Sequence, residues 1–413
     1  MTIATLGERI RKLRKQKGMT LEELAGSELS KGMLSLIENN RAKPSMESLN
    51  YIAKRLGVEA AELLDEVSSK ELRELLEKVE KIHAEIPQSI PEAKSKYKTM
   101  IRLIKPYLSK LTKGYEAARL LDLYGKSLIV TDQGGWEPYL EKAANIYDEM
   151  NLTARRAGIG ILGALEKFER RKYQEALDIL RKERKHIEEN HAYIDPMTRL
   201  EFDYYQAILE FAVGDLEEAL NTLESAIEFS RSEKIFYLID DLYRLALGYA
   251  TIYQDLEKIE YYSTKMTQYI AFSGDEDLNI YLELNKAERI LAIEKDYETV
   301  IQICNRYLSN PDVPEYMLPF IYILKGQALY YRNQLTEALY WLEKAELPSV
   351  VNHPLDLSSF YIKDCIRALI YWKRKEKEKA QQLITLARKN LEALPWTPYH
   401  DFVKNTYEEI MEN

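Results

Sequence analysis

Apolar residues recur at helical spacing along nearly the whole of this 413-residue chain, and nowhere does a long alternating pattern suggest a strand. In the first 64 residues the pattern comes in short pieces. Leu6, Ile10 and Leu13 share one helical face, and Gly18 stops that helix. Thr20 followed by Glu23 is a capping-box signature for a second helix. After a break at Gly26 and Ser27, Ser30 caps a third helix carrying Met33, Leu34, Leu36 and Ile37. The stretch "NNRAKPS" reads as a loop, Ser45 to Leu56 as a fourth helix stopped by Gly57, and "VEAAELL" as a short fifth. Residues 65–112 are charged and helical, with Leu72, Leu75, Leu76, Val79 and Ile82 in one stripe, a break at Pro87 and Pro91, and a second helix beyond.

From residue 113 onward the pattern repeats. The segments "RKYQEALDIL", "VGDLEEALNTL", "YQDLEKIEYY", "EKDYETVIQI", "RNQLTEALYWL" and "RKEKEKAQQLI" each read as a polar turn followed by a helix start. Their anchors are Ala176, Ala219, Ile259, Val300, Ala338 and Ala380, spaced by 43, 40, 41, 38 and 42 residues. Three residues before each anchor stand Tyr173, Leu216, Leu256, Tyr297, Leu335 and Lys377. Twelve before stand Ala164, Ala207, Leu247, Glu288, Gly326 and Ala368. Small residues there let two antiparallel helices approach closely; Leu247 and Glu288 depart from that rule. "GGWEPYLEKAANIY" is an earlier, looser copy. A helix pair of this kind cannot bury its apolar face alone, so neighbours must stack. The pattern resembles the tetratricopeptide repeat, best over 324–345 and 208–226, although that repeat's period of about 34 residues is shorter. The predicted fold is all-α: a five-helix head over 1–66, a linker helix and first hairpin over 67–112, and a right-handed α-solenoid of helical hairpins over 113–413, which binds a ligand or partner and dimerises.

Charge separates the same regions. Residues 1–64 hold 11 Lys and Arg against 8 Asp and Glu, a balance of +3, while the remainder carries −12. A basic head binds a polyanion through local counterion release even when the body is acidic. Two cysteines, Cys304 and Cys365, predict buried thiols in a reducing cytoplasm rather than a disulfide framework. Neither a secretory signal nor a membrane span is expected.

The head resembles the phage-repressor (Xre/Cro-type) helix-turn-helix domain in "RIRKLRKQKGMTLEELA" and "LSKGMLSLIENNRAKPSMESLNYIAKRLGV". The resemblance implies that the third helix enters the major groove of double-stranded DNA. Lys31, Gly32, Met33, Ser35 and Leu36 then lie on or near its reading face, and Leu34 and Ile37 in the core, with Glu38 structural. Asn40, at a position where that family often has glycine, is counted with the DNA-contacting residues. Arg41 and Lys43 would hold phosphates, with Arg9, Arg14 and Lys15 adding to the backbone grip.

A head of this class joined to a tetratricopeptide-like array resembles the Rap/NprR/PlcR/PrgX (RNPP) group of quorum-sensing regulators. That resemblance implies a homodimeric transcription regulator in which a short signalling peptide binds the array and alters how two heads meet two operator half-sites. The groove-facing positions it implies are Glu201, Tyr204, Asp241, Arg244, Asn285, Arg289, Gln327 and Tyr330, and the 30 tyrosines of the chain supply flat contact surface. Two alternatives stay open: an array that sequesters a phosphorelay protein, and an array that only oligomerises. No enzyme, cofactor or metal is expected. His186 and His191 stand five apart, the wrong interval for one helical face, and "TDQGGW" lacks the lysine of a phosphate-binding loop.

Overall fold

Short polar side chains start the helices of the head. Thr5 caps α1 (Leu6–Gln16), exchanging bonds with Glu8, and Thr20 caps α2 (Leu21–Ala25), exchanging bonds with Glu23. Ser30 Oγ accepts from the Met33 N–H at 3.1 Å to open α3 (Lys31–Glu38), and Ser45 Oγ from the Ser48 N–H at 3.1 Å to open α4 (Met46–Leu56). Gly57, at φ 61°, ends α4, and α5 covers Ala60–Leu63. These five pieces close over Ile10, Leu24, Leu34, Ile37, Leu49, Ile52 and Leu56. The computed structural model describes residues 5–64, 69–87 and 89–412. The boundary predicted at residue 66 lies outside the described residues.

The chain divides into two compact units, Met1–Arg155 and Arg156–Asn413. Besides the head, the first holds α6 (Ser69–Ala84), α7 (Ile90–Ile104), α8 (Tyr115–Val130) and α9 (Glu137–Glu149). Buried Arg119 on α8 ties to Glu80 on α6 at 2.6 Å and to Asp122 at 2.6 Å. Pro91 stands in the first turn of α7, where a missing N–H costs nothing.

The second unit is a run of hairpins. They are α10 (Thr153–Glu169) with α11 (Tyr173–Asn190), α12 (Pro196–Val213) with α13 (Leu216–Glu233), and α14 (Ile239–Ile252) with α15 (Leu256–Ser273). Then come α16 (Glu276–Arg289) with α17 (Tyr297–Leu308), α18 (Leu318–Tyr331) with α19 (Leu335–Lys344), and α20 (Pro354–Lys373) with α21 (Lys377–Glu392). Helix α22 (Pro398–Glu412) packs against both α20 and α21, and a π-helical turn, Ile290–Glu294, continues α16. From α14 onward, the first helix of each pair also packs on the first helix of the next.

The predicted register holds residue by residue. The six residues placed three before the anchors are the first residues of α11, α13, α15, α17, α19 and α21. All six anchors are buried. Gly326 shows why the facing position is small: a Cβ there would lie 2.6 Å from Leu342 Cγ. Cys304 and Cys365 are buried and free, and desolvation pushes both thiols up to about 12.

One regularity had no compositional signal. Each hairpin turns through a left-handed residue two before its second helix: Arg171, Gly214, Gln254, Lys295, Asn333 and Lys375, with φ between 56° and 89°. Only one of the six is glycine. A non-glycine residue in that region costs about 1–2 kcal/mol, of which glycine's greater chain entropy would return about 0.5–1 kcal/mol. Exposed Gln254 and Lys375 are the clean sites for a test. Gln254→Gly and Lys375→Gly should each stabilise by about 0.5–1 kcal/mol and raise Tm. Gly214→Ala, whose added Cβ would also lie 3.1 Å from Pro395 Cβ, should lower it.

Candidate functional site

In the head, α3 presents a mixed face. Lys31, Gly32, Met33 and Leu36 are exposed and Ser35 half-buried, while Leu34 and Ile37 point into the core. Lys15, Arg41 and Lys43 are exposed around it. The face is small and apolar at its centre and basic beside it.

Three residues assigned to DNA contact are instead committed to the fold. Arg14 is 9% exposed and forms a two-pronged ion pair with buried Glu38, Nε to Oε1 at 2.6 Å and Nη2 to Oε2 at 2.8 Å, while Nη1 donates to the Met19 carbonyl. The Glu38 hydrogen bonds raise the guanidinium's pKa above its ordinary value. Arg14 therefore ties α1 to α3 and is not available to a phosphate. Asn40 has φ 57°; its Oδ1 accepts from the Gly7 N–H at 3.0 Å and its Nδ2 donates to Thr5 Oγ1 at 2.6 Å. It clamps the start of α1 over the end of α3, an approach so close that a Cβ on Gly7 would fall 2.3 Å from the Ile37 carbonyl oxygen. Half-buried Arg9 donates from Nε to the Leu63 carbonyl at 2.8 Å and so holds α5. Sequence spacing marks outward and inward side chains alike, so it does not separate Arg9, Arg14 and Asn40 from exposed Lys15, Arg41 and Lys43.

In the second unit, the first helices of the hairpins wall a cavity of about 560 Å³, closed on one side by residues 350–353. Tyr204, Asp241, Arg244, Asn285 and Gln327, five of the eight predicted positions, line it. The other three do not. Glu201 accepts from the Tyr237 hydroxyl at 2.5 Å away from the lining. Arg289 turns to the far side of α16, pairs with Glu294 and lines a second cavity of about 450 Å³ against α15. Tyr330 is 8% exposed, packed edge-on to Tyr331 and under the Lys373 ammonium 4.4 Å away, because the last turn of α18 leans on the following hairpin.

The cavity's charges are unevenly matched. Arg244 Nη2 bonds to Asp241 Oδ1 at 2.7 Å, and Tyr281 donates to the Arg244 carbonyl at 3.1 Å. His353 Nδ1 accepts from the Leu355 N–H at 3.2 Å, leaving Nε2 to donate to the Ile208 carbonyl at 3.2 Å. Both nitrogens are thus used in the neutral ring, and desolvation lowers its pKa. Burial, then the neighbouring Asp356, pushes the Glu288 carboxyl up to about 7. Burial raises Asp356 as well, partly offset by His353 and Arg244. Asp356 is open to the cavity yet closely surrounded by protein. Glu288, Asp356, Tyr281, Tyr316 and the 350–353 segment are the parts that groove-phase reasoning missed. The one signal was Glu288 itself, a carboxylate where other hairpins carry Ala, Gly or Leu.

Among the described residues no group of three or more His, Cys, Asp and Glu is placed to hold a metal, and no helix is long and apolar enough to cross a membrane.

Glu288 gives a pH test. An acid whose folded pKa exceeds its unfolded value destabilises the fold as pH rises from the unfolded pKa to the folded one. With an ordinary value of 4.5 and a folded value of about 7, that loss develops between those two pH values and persists above them. Glu288→Gln should therefore raise Tm at pH 8 and change it little near pH 4.5, in calorimetry of the full chain.

Comparison with known proteins agrees with the geometry of the head. Residues 7–69 match the family model described as Helix-turn-helix domain. The HTH-type transcriptional regulator DdrOP3 of Deinococcus deserti is 38% identical over 63 residues, covering 15% of this chain and 49% of that protein. The immunity repressor protein of Bacillus phage phi105 is 29% identical over 96 residues, 21% of this chain and 67% of the repressor. The chain thus spans about half the length of the first of these relatives. Among solved structures, PlcR of Bacillus thuringiensis in complex with the peptide PapR7 and DNA is similar at 19% identity, covering 68% of this chain and 99% of that one with a TM-score of 0.35. The first residues of the chain form a helix-turn-helix domain of the family whose model they match, followed by all-helical hairpins.

Proposed function

We propose that this chain is a sequence-specific DNA-binding transcription regulator, acting as a homodimer, whose hairpin array binds a short signalling peptide. The observation that carries the reading is the pairing of two features in one chain. One is a helix-turn-helix head with Lys15, Arg41 and Lys43 exposed beside the recognition helix. The other is a hairpin array whose first helices enclose a cavity with polar and aromatic groups on its wall. A cavity of about 560 Å³ falls within the usual range for bound ligands, about 300–1,000 Å³. Side chains such as Gln327 and Asn285 offer both donors and acceptors to a peptide backbone. The HTH-type transcriptional regulator and the immunity repressor protein that the N-terminal part of the chain resembles support the DNA-binding half of this reading.

In this reading Arg41 and Lys43 grip phosphates, while Lys31, Met33, Ser35 and Leu36 face the bases. Few of these side chains can make bidentate base contacts, so selectivity leans on paired half-sites and DNA shape. Peptide binding changes DNA affinity by favouring one arrangement of the two heads.

The test uses random-sequence duplex DNA at low salt, then selected sites. Arg41→Glu with Lys43→Glu should weaken binding at least tenfold and reduce the slope of log affinity against log salt by roughly 2, since two phosphate contacts are lost. Circular dichroism should show the fold unchanged. Unaltered binding would remove this docking of the head.

A further inference from the structure

We infer that the cavity wall formed by Glu288 and Asp356 is a subsite for a positively charged group, and that the peptide of the proposed function places a basic side chain or its free α-amine there. The inference rests on that reading and narrows it to a chemical class of ligand.

Three observations on separate residues lead to it. First, the carboxylates are unmatched. Glu288, on α16, and Asp356, in the first turn of α20, face the same cavity and feel each other's charge, and among the described residues neither makes a hydrogen bond or ion pair. The cavity's arginine, Arg244, makes its ion pair elsewhere, with Asp241 at 2.7 Å, and reaches Asp356 only through its longer-range charge. His353 is held neutral between the Leu355 N–H and the Ile208 carbonyl. Glu288 is half-buried and raised by that burial, and Asp356 opens onto the same cavity with only a partial offset from His353 and Arg244, so a cation there gains two carboxylate partners.

Second, Asn285 stands one turn before Glu288 and lines the same wall while only 6% exposed. Its Oδ1 accepts from Thr251 Oγ1 at 2.8 Å, and among the described residues its amide nitrogen donates to no protein atom. That nitrogen is free to donate to a peptide carbonyl.

Third, the π-helical turn Ile290–Glu294 lies between Glu288 and the anchor Val300, and Ala287 is the small, fully buried residue on this helix. Glu288 is left half-buried on the cavity wall instead of in the seam. Tyr281 and Tyr316 line the same cavity, and aromatic faces favour a cation further.

The test uses the full chain and short synthetic peptide mixtures of otherwise apolar, randomised composition. One position is fixed as Lys, Arg, Gln or Glu, and each mixture is made with a free and with an acetylated N-terminus. The readout is the shift in Tm, followed by calorimetric titration of the best mixture. Mixtures carrying a cation should raise Tm and the acetylated Gln and Glu mixtures should not. Glu288→Gln and Asp356→Asn should each weaken binding at least tenfold; both variants should fold, because each keeps the side chain's size and removes a charge that makes no hydrogen bond or ion pair among the described residues. A shift that survives acetylation only when Lys or Arg is present assigns the subsite to a side chain; one lost on acetylation assigns it to the α-amine. If acetylated Gln or Glu mixtures bind as well as basic ones, or the two variants bind like the parent, the array is a peptide receptor without a cation subsite and the inference is overturned. If no mixture shifts Tm, the peptide reading falls and the subsite falls with it.

Discussion

The architecture of the second unit depends on how closely the two helices of each hairpin approach. The seam is set by a pair of positions: a small or apolar residue on the first helix and an anchor near the start of the second. Gly326 under Leu342 shows how little room there is. Once the seam is fixed, the turn between the helices has to be short, and the left-handed residue two before the second helix is the geometric consequence. Each hairpin buries its remaining apolar face only against its neighbours. The first helices, stacked on one another, are then left to form a wall. The cavity is the space that this wall encloses with the 350–353 segment.

That dependence explains which features were legible in the sequence. The helix starts at Tyr173, Leu216, Leu256, Tyr297, Leu335 and Lys377 were readable because packing repeats on a period that leaves a mark at every turn. The head was readable from its caps, since Thr5, Thr20, Ser30 and Ser45 each accept the backbone bond that their position calls for. What spacing could not distinguish was the direction taken by a long side chain. Arg14 and Lys15 are neighbours, yet one is buried against Glu38 and the other is in solvent. Tyr330 and Arg289 shared the phase of groove residues and turned elsewhere because the helix ends that carry them lean on other elements. His353 caps α20 and Asp356 stands in its first turn, ahead of the repeat's marked positions, so no repeat pattern constrains them.

The head and the array pose opposite electrostatic problems. The head keeps Arg41 and Lys43 exposed beside an apolar recognition face, and pairs internally the arginine that would otherwise compete. The array keeps two carboxylates on the wall of a cavity whose arginine is paired with Asp241. In both places the informative residues are those whose charge the fold leaves least compensated.

The central claim is that ligand occupancy of the array and DNA occupancy of the head are linked. Linkage is reciprocal: if a peptide changes operator affinity by some factor, operator DNA changes peptide affinity by the same factor. The direct measurement is the Kd of a peptide that raises Tm, taken with and without saturating duplex of a selected binding site. The account predicts two different values whose ratio matches the change that the peptide produces in DNA affinity. Equal peptide affinity in the presence and absence of bound DNA would contradict it.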